Sequence, residues 1–264
     1  MFQRNYYRTI WISDVHLGTR ACKASSLLDF LRRHIAETLY LVGDIVDGWN
    51  CGPAWHWSPA QQALVDEVVR WRRSGVNVVF LPGNHDEGKV GLVEELFGRI
   101  PSVSSLIHTT SDGFKMLVIH GHQFDGSLNL NRLLPMIGAG AYARAQRIHD
   151  WYNQQNEHGS NEGRSLSDYF RQPARKAIEF LTDFRDRAVL AAARDHRADG
   201  VICGHIHRSE HRRIGNVLYV NDGDWVHNRT AVVEEHDGTL QVIRWSGAPA
   251  SGSVSEPMPQ EATS

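Results

Sequence analysis

Apolar residues in this chain come in short runs, and each run stops at a cluster of polar side chains. Thr9–Ser13, Leu39–Val42 and Val76–Leu81 are three such runs, too short for helices, and they predict buried strands. Between them the spacing becomes helical. Ser25–Ile35 repeats Leu27, Leu28, Phe30 and Leu31, and Pro59–Arg73 repeats Leu64, Val65, Val68 and Val69. Strand and helix alternating in this way predict an α/β core with buried parallel strands. Lys115–Ile119 and Val201–Cys203 read as two more strands. Val217–Val220, Thr230–Glu234 and Leu240–Trp245 read as a second, largely antiparallel sheet. The expected fold is α/β, a four-layer αββα sandwich with two sheets between outer helices.

The stretch from His122 to Val201 is mainly helical in pattern. Its first half sets Leu130, Leu133, Leu134, Met136, Ile137, Tyr142 and Ile148 beside Arg132, Arg144 and Arg147. This half is expected to form a helical cap, an insertion at about 126–170 in a single domain spanning 1–246. Its second half, Pro173 to about Arg197, has the pattern of a core-packing helix. From Gly247 onward Ser, Pro, Gly and Ala dominate, and 247–264 is expected to be a disordered tail.

Charge changes the picture by exclusion. Lysine and arginine number 28 against 30 acidic residues, a formal net charge of -2, so no nucleic-acid partner held by bulk charge is expected. Three widely spaced cysteines (Cys22, Cys51, Cys203) suit a reducing compartment better than a disulfide framework. The N-terminus lacks the apolar stretch of a secretory signal, and no apolar run reaches membrane-spanning length. A cytoplasmic location is expected, with association at a membrane surface left open.

The polar blocks carry the chemistry. They are Asp14-Val15-His16, Gly43-Asp44-Ile45-Val46-Asp47, Gly83-Asn84-His85-Asp86, His120-Gly121-His122 and Gly204-His205-Ile206-His207. Nearly all follow a predicted strand, where α/β sheets gather their ligands. They offer oxygen and imidazole nitrogen without thiolate, the donor set of a hard divalent metal such as Mn²⁺. Two such ions close together share a carboxylate and grip phosphate oxygens, which makes the site a candidate phosphoesterase centre. Asp44 is the candidate bridge. Asp14, His16 and His207 are assigned to one ion, and Asn84, His120 and His205 to the other. His85, next to a ligand with its ring free, is the candidate acid or phosphoryl donor. Asp86 is the candidate that orients that ring.

In this order the five blocks resemble the calcineurin-like metallophosphoesterase superfamily, over residues from about 9 to 245. More narrowly, Ser13-Asp14-Val15-His16-Leu17-Gly18, Tyr40-Leu41-Val42-Gly43-Asp44 and the insertion after His120 resemble the UDP-2,3-diacylglucosamine pyrophosphatase group. Asn221-Asp222-Gly223-Asp224-Trp225 is similar to a segment of that group's broader branch. The resemblance implies a pair of Mn²⁺ ions, a lipid-linked UDP diphosphate as substrate in lipid A synthesis, and a cap that holds acyl chains. Two positions depart from the pattern: His85 stands where that group usually has Arg, and His122 where it usually has Asp.

Other residues leave two readings open. Asp47 offers either a contact to metal or substrate, or a capping carboxylate. His122 offers a support for the ligands or a substrate contact. Trp49, Trp55 and Trp57, with His56, form either an aromatic lip or packing under a loop. Arg132, Arg144 and Arg147 offer a diphosphate or headgroup contact, or a solvated helix face. The leading expectation is hydrolysis of the pyrophosphate bond of a UDP-sugar lipid. Its rivals are a different phosphodiester or phosphomonoester and, with all eight motif residues in place, a non-catalytic scaffold as the weakest.

Overall fold

A computed structural model describes residues 4–50, 54–126 and 182–247. Two five-stranded sheets lie within them. The first runs β10-β9-β1-β2-β3, formed by β1 (Asn5–Ile12), β2 (His34–Val42), β3 (Asn77–Leu81), β9 (Thr230–Glu234) and β10 (Leu240–Arg244). The second runs β4-β5-β6-β8-β7, formed by β4 (Leu106–Thr109), β5 (Lys115–Val118), β6 (Gly200–Cys203), β7 (Glu210–Ile214) and β8 (Val217–Asn221). β1, β2 and β3 pair in parallel, as do β5, β6 and β8.

Three apolar clusters establish the layering. Leu27, Phe30 and Leu31 of α1 (Ala24–Arg33), with Leu64, Val65 and Val68 of α2 (Pro59–Arg73) and Val93 and Phe97 of α3 (Val90–Phe97), pack on Ile10, Leu39 and Phe80 of the first sheet. Trp11, Tyr40, Val42 and Leu81 meet Met116, Val118, Ile202 and Val220 between the sheets. Leu117, Ile119 and Val201 pack outward on Val189 and Ala193 of α4 (182–195). The order is helix, sheet, sheet, helix, the expected αββα sandwich.

Local chemistry accounts for the helix that was easiest to place. Ser58 accepts a hydrogen bond from Gln61 N at 3.3 Å and Pro59 opens the first turn, so α2 begins and ends where its sequence signals stand. α1 ends two residues earlier than its apolar spacing implies. His34 and Ile35 already belong to β2, in register with Asn5 and Tyr6, and the His34 ring meets the Phe30 carbonyl at 2.8 Å. Sheet pairing outweighs helical spacing there.

The later strands correct the expected second sheet. β9 and β10 join the first sheet, with Trp11 opposite Val232, while β8 lies parallel to β6 in the second. β9 is buried at all five positions because it is an interior strand, sending Val233 to the helix side and Val232 to the space between the sheets. The expected cap at about 126–170, with Arg132, Arg144 and Arg147, and the expected tail, apart from Gly247, lie outside the described residues. Among the described residues no helix is long and apolar enough to cross a membrane.

One buried carboxylate ties the two sheets at their edge. Glu234 in β9 accepts from Thr9 Oγ1 at 2.7 Å, from Ser111 N at 2.8 Å and from His108 Nε2 of β4 at 2.8 Å, and pairs with Arg8. Burial opposes its ionisation, yet the hydrogen bonds from His108, Thr9 and Arg8 outweigh it and hold the carboxyl at about 2, below its ordinary 4.5. A depressed folded value stabilises the fold above the unfolded one and loses that stabilisation as pH falls from about 4.5 to about 2. Glu234→Gln is therefore expected to cost about 3 kcal/mol at pH 7 in urea unfolding, with the gap from wild type closing on acidification. A gap that stays constant down to pH 3 would show that the charge contributes nothing.

Candidate metal centre

Every block stands at the carboxyl end of a parallel strand: Asp14 and His16 after β1, Asp44 after β2, Asn84 and His85 after β3, His120 after β5, His205 and His207 after β6. Both sheets present these ends along one seam. Backbone hydrogen bonds lace the blocks together, from Asp14 N to Gly43 O (3.0 Å), His16 N to Asp44 O (2.9 Å) and Gly204 N to His120 O (2.9 Å). Side chains continue the lacing, with Asp44 Oδ1 accepting from His85 N at 2.8 Å and Asp14 Oδ2 from His205 N at 2.9 Å.

The backbone itself is unusual here. Asp14, His16, Asp44, His205 and His207 all adopt left-handed φ, between 50° and 71°. Each such residue costs about 1–3 kcal/mol, and a cluster persists only where the surroundings over-determine it. Two glycines make the close packing possible. A Cβ at Gly83 would stand 2.3 Å from Asp44 Oδ1, and one at Gly43, with φ of 83°, would stand 2.3 Å from His120 Nδ1.

Three sets of donor atoms converge within 4.8 Å: Asp14, His16 and His207; Asp44, His120 and His205; and His16, Asp47 and His85. Asp44 Oδ2 lies 3.4 Å from His120 Nε2 and 4.0 Å from His16 Nε2, which puts it between the first two sets. His16 Nε2, His120 Nε2 and Asn84 Oδ1 are buried without a hydrogen-bond partner among the described residues. Buried polar atoms without partners are costly, and here the two imidazole nitrogens border a common space beside Asp44 Oδ2. His120 bonds the Val42 carbonyl through Nδ1 at 2.7 Å, which leaves Nε2 for that space. These residues fit divalent cations.

Charge points the same way. Burial alone disfavours ionised carboxylates, but hydrogen bonding from His207 and the charge of His120 hold the Asp14 carboxyl well below its usual range. Burial likewise disfavours a charged imidazole, but the Asp44 carboxylate, 3.4 Å away, and the charge of Asp14 raise His120 to about 9. The pocket demands positive charge, which metal ions supply once the imidazoles are neutral ligands.

His85 sits at the rim, and its surroundings correct one expectation. Its Nδ1 lies 3.2 Å from Asp47 Oδ1, and its ring stacks on Trp49 with centroids 3.8 Å apart. Asp86 does not touch that ring. It is fully buried and accepts from Gly83 N at 2.6 Å and Ile45 N at 2.8 Å, tying the third block to the second. Burial and the charge of Asp44 raise its carboxyl to about 6. The carboxylate that faces the ring is Asp47.

Of the remaining candidates, His122 stands at the margin, 5.5 Å from the His120 ring and 3.8 Å from Glu87, outside the three donor sets. Trp49 is 67% exposed at the mouth, whereas Trp55 and Trp57 stack on each other and pack on the helical side of the first sheet. Sequence reasoning missed Ser13 and Asp222. The Ser13 hydroxyl lies within hydrogen-bond reach of Asp14 Oδ2 and, at 2.6 Å, of Asp222 Oδ1.

A profile of the calcineurin-like phosphoesterases matches residues 7–209. The UDP-2,3-diacylglucosamine hydrolase of Stenotrophomonas maltophilia is 26% identical over 220 residues, 76% of this chain and 82% of that protein. The UDP-2,3-diacylglucosamine hydrolase of Aeromonas salmonicida is 34% identical over 83 residues, 30% of this chain and 31% of its own length. The DNA polymerase II small subunit of Methanothermobacter thermautotrophicus is 26% identical over 154 residues, 45% of this chain and 31% of its own length. With the latter two, the match spans about a third of the relative.

Proposed function

Because this chain belongs to the calcineurin-like phosphoesterase family, we propose that it is a phosphohydrolase working with two divalent ions, Mn²⁺ first among them. The observation that carries this reading is the pair of donor sets on either side of Asp44, with three buried polar atoms that no described residue satisfies. Asp14, His16 and His207 would hold one ion, Asn84, His120 and His205 the other, with Asp44 available to both. Bound there, the ions supply Lewis acidity toward phosphoryl oxygens and an activated water. The chain's own residues do the rest. Left-handed turns aim the ligands, and buried carboxylates keep the pocket anionic until cations enter. His85 turns Nε2 toward the centre, 3.9 Å from Asp44 Oδ2, and hands a proton to the leaving oxygen while Asp47 holds Nδ1.

For substrate class, the pyrophosphate bond of a UDP-sugar lipid has the support of the relatives named UDP-2,3-diacylglucosamine hydrolase, one of them matched over most of its length. A lipid-linked substrate brings the chain to a membrane surface, a location that follows from this reading. A second reading, another nucleotide or phospholipid ester, is favoured by His85 and His122, which differ from that group's pattern beside the ligands. The scaffold reading is the poorest, since every ligand position is filled.

The deciding assay is hydrolysis of UDP-2,3-diacylglucosamine by Mn²⁺-loaded protein, following UMP, beside bis-p-nitrophenyl phosphate. UMP release at an enzymatic rate supports the first reading. Cleavage of the aryl diester alone favours the second, and inertness toward both leaves only the scaffold.

A further inference from the structure

His207, with 34% of its side chain exposed and a left-handed backbone, is the last of the ligand candidates to arrive in the chain. It has φ of 52°, and its Nε2 lies 3.1 Å from Asp14 Oδ1, so that nitrogen faces the metal space. Something must hold a strained residue so placed. The segment after β8 does so. Asn221-Asp222-Gly223-Asp224-Trp225 was conspicuous in the sequence, yet none of it belongs to the ligand sets. Trp225 is fully buried in the helix-side core, and its N donates to the Asp14 carbonyl at 3.1 Å, which fixes the segment beside the first block.

From that anchor Asp224, itself fully buried, turns the chain. Its Oδ1 accepts from Val226 N at 2.7 Å, from His227 N and from Asn228 N at 3.1 Å. The turn delivers the Asn228 side chain to His207. The amide carries two protons, and each has an acceptor: Asp224 Oδ2 takes one and the His207 carbonyl, at 2.6 Å, the other. Asp224 Oδ2 also lies 4.0 Å from His207 Nδ1, on the face of the ring away from Asp14. That distance is too long for a hydrogen bond and right for a carboxylate acting through space or through a water.

We propose that Asn228, held by Asp224, is a positioning residue for the ion of the Asp14, His16 and His207 set: it clamps the left-handed His207 backbone so that Nε2 faces the metal. The inference depends on the two-metal reading above. Carboxylates and carbonyls that orient a ligating histidine typically change metal affinity by about 10–100-fold.

The test is Mn²⁺ binding by calorimetry and electron paramagnetic resonance on the full chain, for wild type, Asn228→Ala and Asn228→Ser. Wild type should bind two ions and show an exchange-coupled pair. Asn228→Ala should weaken one ion by about 10–100-fold and lose the coupled signal at limiting metal while the other ion stays tight. Asn228→Ser, which keeps one donor, should fall between. Two ions bound by Asn228→Ala as tightly as by wild type would overturn the proposal. So would loss of both ions with a lowered metal-free melting temperature in both variants, since that is what a merely structural residue gives. Wild type binding no ion would instead sink the two-metal reading itself.

Discussion

Asp44→Ala is expected to lower turnover by more than about 10³-fold and to leave fewer than two ions per chain, as read by metal analysis of the purified protein. The size of the effect follows from position. Asp44 is 2% exposed, and its Oδ2 reaches toward His16, His85 and His120 at 4.0, 3.9 and 3.4 Å. Its Oδ1 also holds the His85 backbone at 2.8 Å, and removing the side chain loosens the third block at the same time. Asp44→Asn separates charge from shape, since it keeps an oxygen donor and removes the negative charge. It should retain the fold and still lose most of the metal. Full activity of Asp44→Ala with two ions bound would remove Asp44 from the bridging role.

His85→Ala is expected to slow hydrolysis by about 10²–10⁴-fold while both ions remain bound. Its ring is partly exposed at the rim and belongs to neither of the two sets that flank Asp44. It does converge with His16 and Asp47 in a third set, which is why the metal content decides the matter. Loss of metal in step with activity would make His85 a ligand and not an acid. Asp47→Asn should act in the same direction by a smaller factor, because it disturbs the partner 3.2 Å from Nδ1 and leaves the ring in place. If the two residues work as a unit, the double variant should be no slower than His85→Ala alone. Independent, multiplying effects would show that Asp47 acts elsewhere.

The helix-and-strand rhythm of the first half could be read from sequence because its signals are local. Ser58 and Pro59 mark the start of α2, and Leu39–Val42 needs only its own residues to read as a buried strand. What could not be read is which strands meet. Thr230–Glu234 looks the same whether it pairs with β1 or with a second sheet, and only packing from both sides placed it. β7, Glu210–Ile214, has Ile214 as its one apolar residue and lies at a sheet edge, so it carries little strand signal. α3 and β4 were missed for a similar reason, being short and bounded by turns.

The ligand candidates were legible because five short motifs each name their donor atoms. Their supports were not. Asp47 and Asp86 are both carboxylates next to motif residues, and sequence spacing favoured the neighbour of His85 over the residue 38 positions away that faces its ring. Asn228 is 21 residues from His207, and Asp222 is 209 from Ser13, distances over which no local pattern extends. Donor identity is a property of residues, whereas orientation is a property of the fold.

The hydrogen bond from His205 N to Asp14 Oδ2 joins residues 191 apart. Neither ligand set is complete until the chain has reached His205 and His207, after most of the second sheet has been laid down beside the first. A chain that has not yet reached His205 holds Asp14, His16, Asp44 and His120 without the last imidazole of either set. Competence thus arrives all at once and late, so a working centre certifies that both halves of the molecule have docked.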